Sequence, residues 1–303
     1  MLESIAPGIW VVKPNVPPKY PYSNCIYIED ERSAVIDFGA GRDAFLDVPR
    51  DKVKLGLMSH FHFDHVHSNV LFPSAEMWAG HEEKHTYSSS QTYIEYHGYD
   101  LWEEIMGIDR INYGDAVPLP DDVPTRPGFR EIKLEGTFYD GKEIKLGRRR
   151  ITAIHLPGHT KGHYGFYFPE EEILFSGDID LVASGPWYSS NSGDVGELME
   201  SVQRIKNLNP RVLVPSHRRV IKEGIVEGLN RYIQVVINRD DAIMELLKEP
   251  KNLDQLSKYG LVFPQANNMY DVFWEKMTIR NHLRRLLRLK EVIEMENGVY
   301  CRR

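Results

Sequence analysis

The sequence predicts an α+β fold with two β-sheets at its core and a small helical segment at its C-terminal end. Short segments rich in β-branched and aromatic residues occur in two groups, one before residue 80 and one between residues 142 and 176. Segments with helical spacing separate and follow these groups. This order favours two packed sheets with helices on the outside.

In the first group, we expect strands at 9–12, 24–28, 33–37, 53–59 and 76–79. A helical stretch at 81–108 follows. Residues 118–140 are rich in proline and predict a surface loop or a lid.

The second group of strand signals, at 142–176, leads into a helix at 194–208 and a strand at 212–214. After His217 the spacing is helical, and the chain closes with a hairpin signal at Asn297-Gly298. We therefore expect two parts, residues 1–222 and a winged-helix-like helical module at 223–303.

The composition of the 303 residues excludes several classes of protein. With 42% hydrophobic and 27% charged residues, the chain is neither disordered nor a coiled-coil rod. It shows no membrane-length apolar run, no secretory signal and only two cysteines, so we expect a cytoplasmic protein with no membrane partner. The net charge of −7 argues against a protein that coats nucleic acid.

A cluster of metal-binding residue types follows the predicted strand 53–59, and further ones follow later strands. The candidates are His60, His62, Asp64, His65, His159, Asp178 and His217. A rigid sheet positions polar side chains well at its strand ends. Imidazole and carboxylate groups are ligands that suit zinc or a similar ion.

The motif HFHFDH, together with the later three ligands, resembles the hydrolase branch of the metallo-β-lactamase fold superfamily. The resemblance covers about residues 1–220, and it includes VIDFGAG and GHTKGHYGFYFPEEEILFSGD. It implies an αββα sandwich as the catalytic domain. It also implies two bound divalent metal ions, zinc in the first place, with iron or manganese as alternatives.

The resemblance assigns a role to each ligand. One ion would be bound by His60, His62 and His159, the other by Asp64, His65 and His217, with Asp178 bridging both. Two ions about 3.5–4 Å apart lower the pKa of a bridging water and give hydroxide at neutral pH.

The resemblance also implies roles beyond metal binding. Asp64 would orient the hydroxide and carry a proton, and Asp37 would accept the ring N–H of a ligand histidine. Trp187 and Tyr188 lie in a loop that would border the substrate pocket.

One motif competes with this interpretation. Residues 81–85, HEEKH, fit the helical zinc motif HExxH of metalloproteases, with Glu82 as the base. Because no third ligand follows at a protease-like spacing, we expect an ordinary exposed helix start here.

Several functions remain open. Our first prediction is a binuclear metallohydrolase that cleaves an ester, a thioester or a lactone in a small-molecule substrate. A phosphodiesterase or ribonuclease would use the same ions, and an outward-facing row of Arg280, Arg284 and Arg288 on the last helix would favour RNA as a partner. A persulfide dioxygenase with a single iron would keep the same motif. The oligomeric state is also open, and a homodimer is one possibility.

Overall fold

Two β-sheets form the centre of the molecule, and the computed structural model describes residues 1–303. Across the first sheet lie, in this order, β1 (Leu2–Ala6), β2 (Ile9–Val12), β3 (Cys25–Ile28), β4 (Ala34–Ile36), β5 (Leu55–Met58), β6 (Glu76–Gly80) and β7 (Gly136–Phe138). Across the second lie β8 (Glu143–Lys145), β9 (Arg150–His155), β10 (Tyr164–Phe168), β11 (Ile173–Gly177) and β12 (Val212–Pro215).

Both sheets are mixed. In the first sheet, β1 to β4 pair antiparallel and β4 to β7 pair parallel. In the second, β8 to β11 pair antiparallel, whereas β11 and β12 run parallel. The parallel strands place several strand ends at the same edge of the molecule.

The helices lie on the outer faces of the sheets and in the C-terminal part. They are α1 (Phe63–Val66), α2 (Ser90–His97), α3 (Trp102–Met106), α4 (Tyr113–Ala116), α5 (Val195–Leu208), α6 (Ile225–Leu246), α7 (Leu253–Ser257) and α8 (Met269–Arg288). Five short 3₁₀ segments occur at Ala44–Asp47, Asn69–Leu71, His81–Tyr87, Tyr99–Leu101 and Glu296–Gly298. No helix has the length and hydropathy of a membrane span.

The alternation of side chains along the strands explains why the two sheets stack. In β3, Ile26 and Ile28 face the second sheet, while Cys25 and Tyr27 face the opposite side, and all four are buried. Short helices and turns cover that opposite side, and α5 and α6 cover the outer face of the second sheet. The predicted αββα sandwich is confirmed.

The spacing predicts a helical stretch at 81–108, but the structure divides it into four short helical pieces. Gly98 and Gly107 adopt φ values of +81° and +66° and end α2 and α3. Glycine takes this left-handed conformation without steric cost and therefore stops a helix. The predicted loop 118–140 is irregular as far as residue 135, and β7 then adds a short strand beside β6.

The C-terminal part contains the predicted helices and the terminal hairpin. The hairpin strands are β14 (Val292–Met295) and β15 (Val299–Arg302), and β15 also pairs with the two-residue strand β13 (Lys251–Asn252). These helices and strands pack on a small core of their own. The winged-helix-like interpretation of this segment remains a prediction.

Helix α6 belongs to both parts of the molecule. Leu229 and Val236, in its first half, pack in the core over the second sheet. Ile243, in its second half, packs in the core of the C-terminal segment. The predicted boundary at 222–223 therefore comes just before a helix that connects two cores.

The sequence pattern predicts that the basic row on α8 faces outward, whereas in the structure two of its three arginines contact the sandwich. Arg280 donates to Asn191 Oδ1 at 3.1 Å, and Arg288 lies 2.8 Å from Asp194 Oδ2. Arg284 is exposed. Two of the three arginines thus reach back to the sandwich, which reduces the charge that the row could offer to RNA.

A buried polar network joins the loop at 184–188 to α6 and α8. His282 has no exposed surface, and its two ring nitrogens lie 2.7 Å from Asp240 Oδ1 and 2.7 Å from the Tyr188 hydroxyl. Arg239 also donates to the Tyr188 hydroxyl at 2.9 Å and to Pro186 O at 3.0 Å. These bonds fix the loop against the C-terminal helices.

We expect His282→Ala to lower the free energy of unfolding by about 2–4 kcal/mol, because it leaves a cavity and removes one partner from each of two buried polar groups. Chemical denaturation measures the change. His85→Ala, at an exposed position, is the control and should stay within about 0.5 kcal/mol of wild type. Equal unfolding midpoints for the two variants would contradict the assignment.

Candidate metal centre

The candidate ligands come from strand ends that meet at one edge of the sandwich. Asp37 follows β4 directly, and the HFHFDH turn follows β5, which is parallel to β4. Asp178 follows β11 directly, and His217 comes two residues after β12, which is parallel to β11. His159 lies in the connection between β9 and β10. Parallel pairing therefore brings distant parts of the sequence together.

Three ring nitrogens converge on one point and form the first ligand group. His60 Nε2 lies 2.9 Å from His62 Nδ1, and His159 Nε2 lies 3.1 Å from the former and 2.9 Å from the latter. All three histidines are buried. Three nitrogen atoms this close together can share a single cation.

The second group contains Asp64, His65 and His217. Asp64 Oδ2 lies 3.3 Å from His217 Nε2 and 4.0 Å from His65 Nε2. Asp178 stands between the two groups. Its Oδ1 lies 3.0 Å from His65 Nε2, whereas its Oδ2 lies 3.3 Å from His159 Nε2. One carboxylate thus offers one oxygen to each group.

Hydrogen bonds on the outer side of the rings orient four of the five histidines. The acceptors are Ser59 Oγ for His60 at 3.0 Å, Asp37 Oδ2 for His65 at 2.7 Å, Trp187 O for His159 at 2.8 Å and Tyr22 O for His217 at 3.1 Å. An imidazole that donates its N–H on one side has a lone pair on the other nitrogen. The inner nitrogens are therefore free to bind a cation, and the outer bonds hold the rings in place.

The buried polar atoms of the cluster fit a metal ion. His65 Nε2 and Asp178 Oδ1 are buried and 3.0 Å apart, yet neither makes a hydrogen bond. Buried polar atoms almost always have a partner. Each of the two groups has the residue types and spacing to hold a metal ion.

The electrostatics of the cluster also suit a cation. Burial lowers the pKa of His60 and of His62 well below the usual value, and neighbouring histidines lower it further, so these rings are neutral. Burial alone would raise the pKa of Asp178, but the adjacent histidines outweigh it and hold this pKa well below its usual value. Neutral imidazole and ionised carboxylate are the forms that bind metals. Although burial alone would lower it, Asp178 and Asp37 raise the pKa of His65 to about 10, so a metal ion would take the place of a proton on this ring.

Comparison with known proteins agrees with this geometry. The sequence model of the metallo-beta-lactamase superfamily matches residues 20–217. The chain belongs to this superfamily. A solved metallo-beta-lactamase family protein from Thermus thermophilus superposes with a TM-score of 0.78 at 21% identity, over 99% of this chain and 100% of that one. The shared fold therefore includes the C-terminal part.

Two curated relatives are similar in sequence. A beta-lactamase-like protein 2 homolog from Caenorhabditis elegans is 30% identical over 190 residues, which are 60% of this chain and 62% of that protein. An acyl-coenzyme A thioesterase from Homo sapiens is 26% identical over 209 residues, 62% of this chain and 69% of the relative. The chain thus spans less than two thirds of the Caenorhabditis elegans relative.

The two predicted pocket residues of this superfamily member have different surroundings. The half-buried Trp187 ring lies 5.1 Å from the His62 ring and 5.4 Å from the His159 ring, so it borders the cluster. Tyr188 has no exposed surface, and its hydroxyl is bonded to His282 and Arg239. Tyr188 therefore packs the loop and is not available to a substrate, contrary to the prediction.

The HEEKH motif contributes a residue that the sequence analysis missed. Residues His81–Tyr87 form a 3₁₀ segment in which both histidines are exposed, so they do not form a metal site. The next glutamate, Glu83, is buried and accepts from the backbone N–H groups of Phe61 at 3.1 Å and Gly162 at 2.9 Å, and from the Thr160 hydroxyl. It joins the HFHFDH turn to the loop that carries His159.

His163 is a second residue that the sequence did not assign. Its Nδ1 donates to Leu156 O at 2.9 Å, and its Nε2 accepts the backbone N–H of Asp178 at 3.0 Å. It thereby positions the carboxylate between the two ligand groups. Its place in GHTKGH, four residues after His159, was the only signal in the sequence.

We expect Asp37→Asn to weaken zinc binding by about 10–100-fold, because His65 loses the carboxylate that fixes its ring. Competition with a chromophoric chelator measures the affinity. Asp43→Asn is the control, because Asp43 is exposed and lies outside the cluster. If Asp37→Asn bound zinc as tightly as this control, Asp37 would not support the ligand.

Proposed function

We propose that this protein is a hydrolase that holds two divalent metal ions, zinc in the first place, and cleaves a thioester bond. The observation that carries the proposal is the arrangement of seven ligands in two groups with Asp178 between them. The human relative, an acyl-coenzyme A thioesterase, supports a thioester ahead of the ester and lactone alternatives.

In this proposal His60, His62 and His159 hold one ion, and Asp64, His65 and His217 hold the other. This ligand set would place two ions whose chemistry is the lowering of the pKa of a water and the polarisation of a substrate carbonyl. The protein supplies the ligands in fixed positions, since four of their rings are held from outside by hydrogen bonds. Fixed ligands need no reorganisation during the reaction.

Two side chains act at the open side of the cluster. Asp64, with 10% of its side chain exposed, orients the attacking water and takes up a proton. Trp187 covers the side formed by His62 and His159. The thiol Cys25 is not the nucleophile, because it is fully buried and burial raises its pKa well above the usual value.

The reaction is tested on protein purified without chelator. Metal content is measured first, and then thioester, ester, lactone, phosphodiester and persulfide substrates are compared. We expect about two ions per chain, the highest kcat/KM on thioesters, loss of activity on chelation and recovery with added zinc. Phosphodiesters cleaved faster than thioesters, or a single iron with oxygen uptake on persulfides, would replace this proposal.

We expect Asp178→Ala to lower kcat/KM by about 10³-fold or more, because loss of the shared carboxylate removes several kcal/mol of metal-dependent stabilisation. Steady-state kinetics and metal analysis of the variant measure the effect. Glu82→Ala is the control, since the Glu82 carboxylate accepts only the Tyr164 hydroxyl, at 2.9 Å, and its loss should change kcat/KM by less than about twofold. A loss in Glu82→Ala as large as that in Asp178→Ala would show that the effect is not specific to the shared carboxylate, and would contradict the role of Asp178.

A further inference from the structure

Five aromatic side chains from separate parts of the chain form a continuous wall beside the metal centre. We call Tyr20, Phe63, Tyr113, Trp187 and Trp274 the aromatic wall. The ring centroids are 6.0 Å apart for Trp187–Trp274, 5.4 Å for Trp274–Tyr113, 5.4 Å for Tyr113–Tyr20 and 6.2 Å for Tyr20–Phe63. These spacings are those of rings in direct contact.

The wall meets the metal centre at several points. Trp187 lies against two histidines of the first ligand group. Phe63 immediately precedes Asp64 in the sequence. Tyr20 in turn lies against the Phe63 ring. The wall therefore runs along the open side of the cluster.

The rings of the wall are not core residues. Tyr20 is 39% exposed, and the other four rings of the wall are half-buried. Tyr164 of β10, a core residue, has no exposed surface. A contiguous group of partly exposed aromatic rings beside a reactive centre is typical of a ligand-binding surface.

The charged groups beside Tyr113 are acidic. Burial raises the pKa of Tyr113 most, and the carboxylates of Asp64 and Asp271 raise it further. The nearby Arg110 guanidinium is engaged, because it lies 4.5 Å from the centre of the Tyr99 ring and donates to the Tyr270 hydroxyl at 3.3 Å. An apolar group would bury its surface against the rings.

We propose that the aromatic wall binds an apolar acyl group, aryl or long alkyl, of a substrate whose carbonyl reaches the metal centre. Trp274, on α8, is the residue that determines this specificity, because it contacts both Trp187 and Tyr113 and thus connects the two sides of the wall. The identity of the scissile bond rests on the proposed function. The preference for an apolar group rests on the wall alone.

A binding experiment tests the wall without catalysis. The probes are the phenacyl and acetonyl thioethers of N-acetylcysteamine, in which a methylene between carbonyl and sulfur prevents hydrolysis. Titration calorimetry on the zinc-loaded chain of 303 residues measures both affinities. We expect the phenacyl compound to bind at least about tenfold more tightly than the acetonyl compound, because its phenyl ring stacks on the wall and buries more apolar area.

Three variants locate the effect. Trp274→Ala should weaken phenacyl binding by about tenfold and leave acetonyl binding unchanged, whereas Trp274→Phe should keep most of the selectivity. Tyr259→Ala is the matched control, because Tyr259 is an aromatic residue of the same segment, 54% exposed and outside the wall. Equal affinity of wild type for the two probes, no binding of either, or equal weakening of both in Trp274→Ala would overturn the proposal.

Kinetics on benzoyl and acetyl thioesters separate this proposal from the proposed function. Hydrolysis of both at equal kcat/KM would contradict the wall and leave the thioesterase proposal standing. Selective, Trp274-dependent binding of the phenacyl compound without hydrolysis of any thioester would support the wall and contradict the thioesterase proposal.

Discussion

The candidate metal centre depends on one buried carboxylate that is not itself a predicted ligand. Asp37 accepts three hydrogen bonds, from His65 Nδ1, from the backbone N–H of Ser59 and from the Ser59 hydroxyl, each 2.7 Å long. The same Ser59 oxygen accepts from His60 Nδ1 at 3.0 Å. A single side chain therefore orients one histidine in each ligand group. Because a charge buried this deeply must be fully paired, its position is fixed along with those of its partners.

The backbone conformation around Asp37 brings its carboxylate within reach of these hydrogen-bond donors. Asp37 adopts a φ of +59°, which turns the chain sharply at the end of β4. Two residues later, a Cβ on Gly39 would stand 1.6 Å from Asp64 O, so only glycine permits this close approach. The turn after β4 and the HFHFDH turn after β5 are thus held together by hydrogen bonds and by direct backbone packing.

The two sheets are joined at the site as well as in the core. Glu83, beside the first sheet, binds the backbone of Phe61 and of Gly162, and Gly162 lies in the loop between two strands of the second sheet. Arg239 and His282 fix the Trp187 loop in a similar way against α6 and α8. The C-terminal part is therefore connected to the site, first by this network and then by Trp274 in the aromatic wall.

The sequence by itself determined the two-sheet architecture and predicted the seven candidate ligands. HFHFDH is a local pattern directly after a strand, and Asp178 and His217 follow apolar strands, so short-range spacing was sufficient to find them. The tertiary structure alone decided which polar groups support the ligands and which aromatic residues reach the site. Glu83 and Trp274 act across sequence separations that no local pattern records, whereas Tyr188, next to Trp187, points into the interior. Burial and hydrogen-bond pairing depend on the packing of distant segments, and only the folded chain brings those segments together.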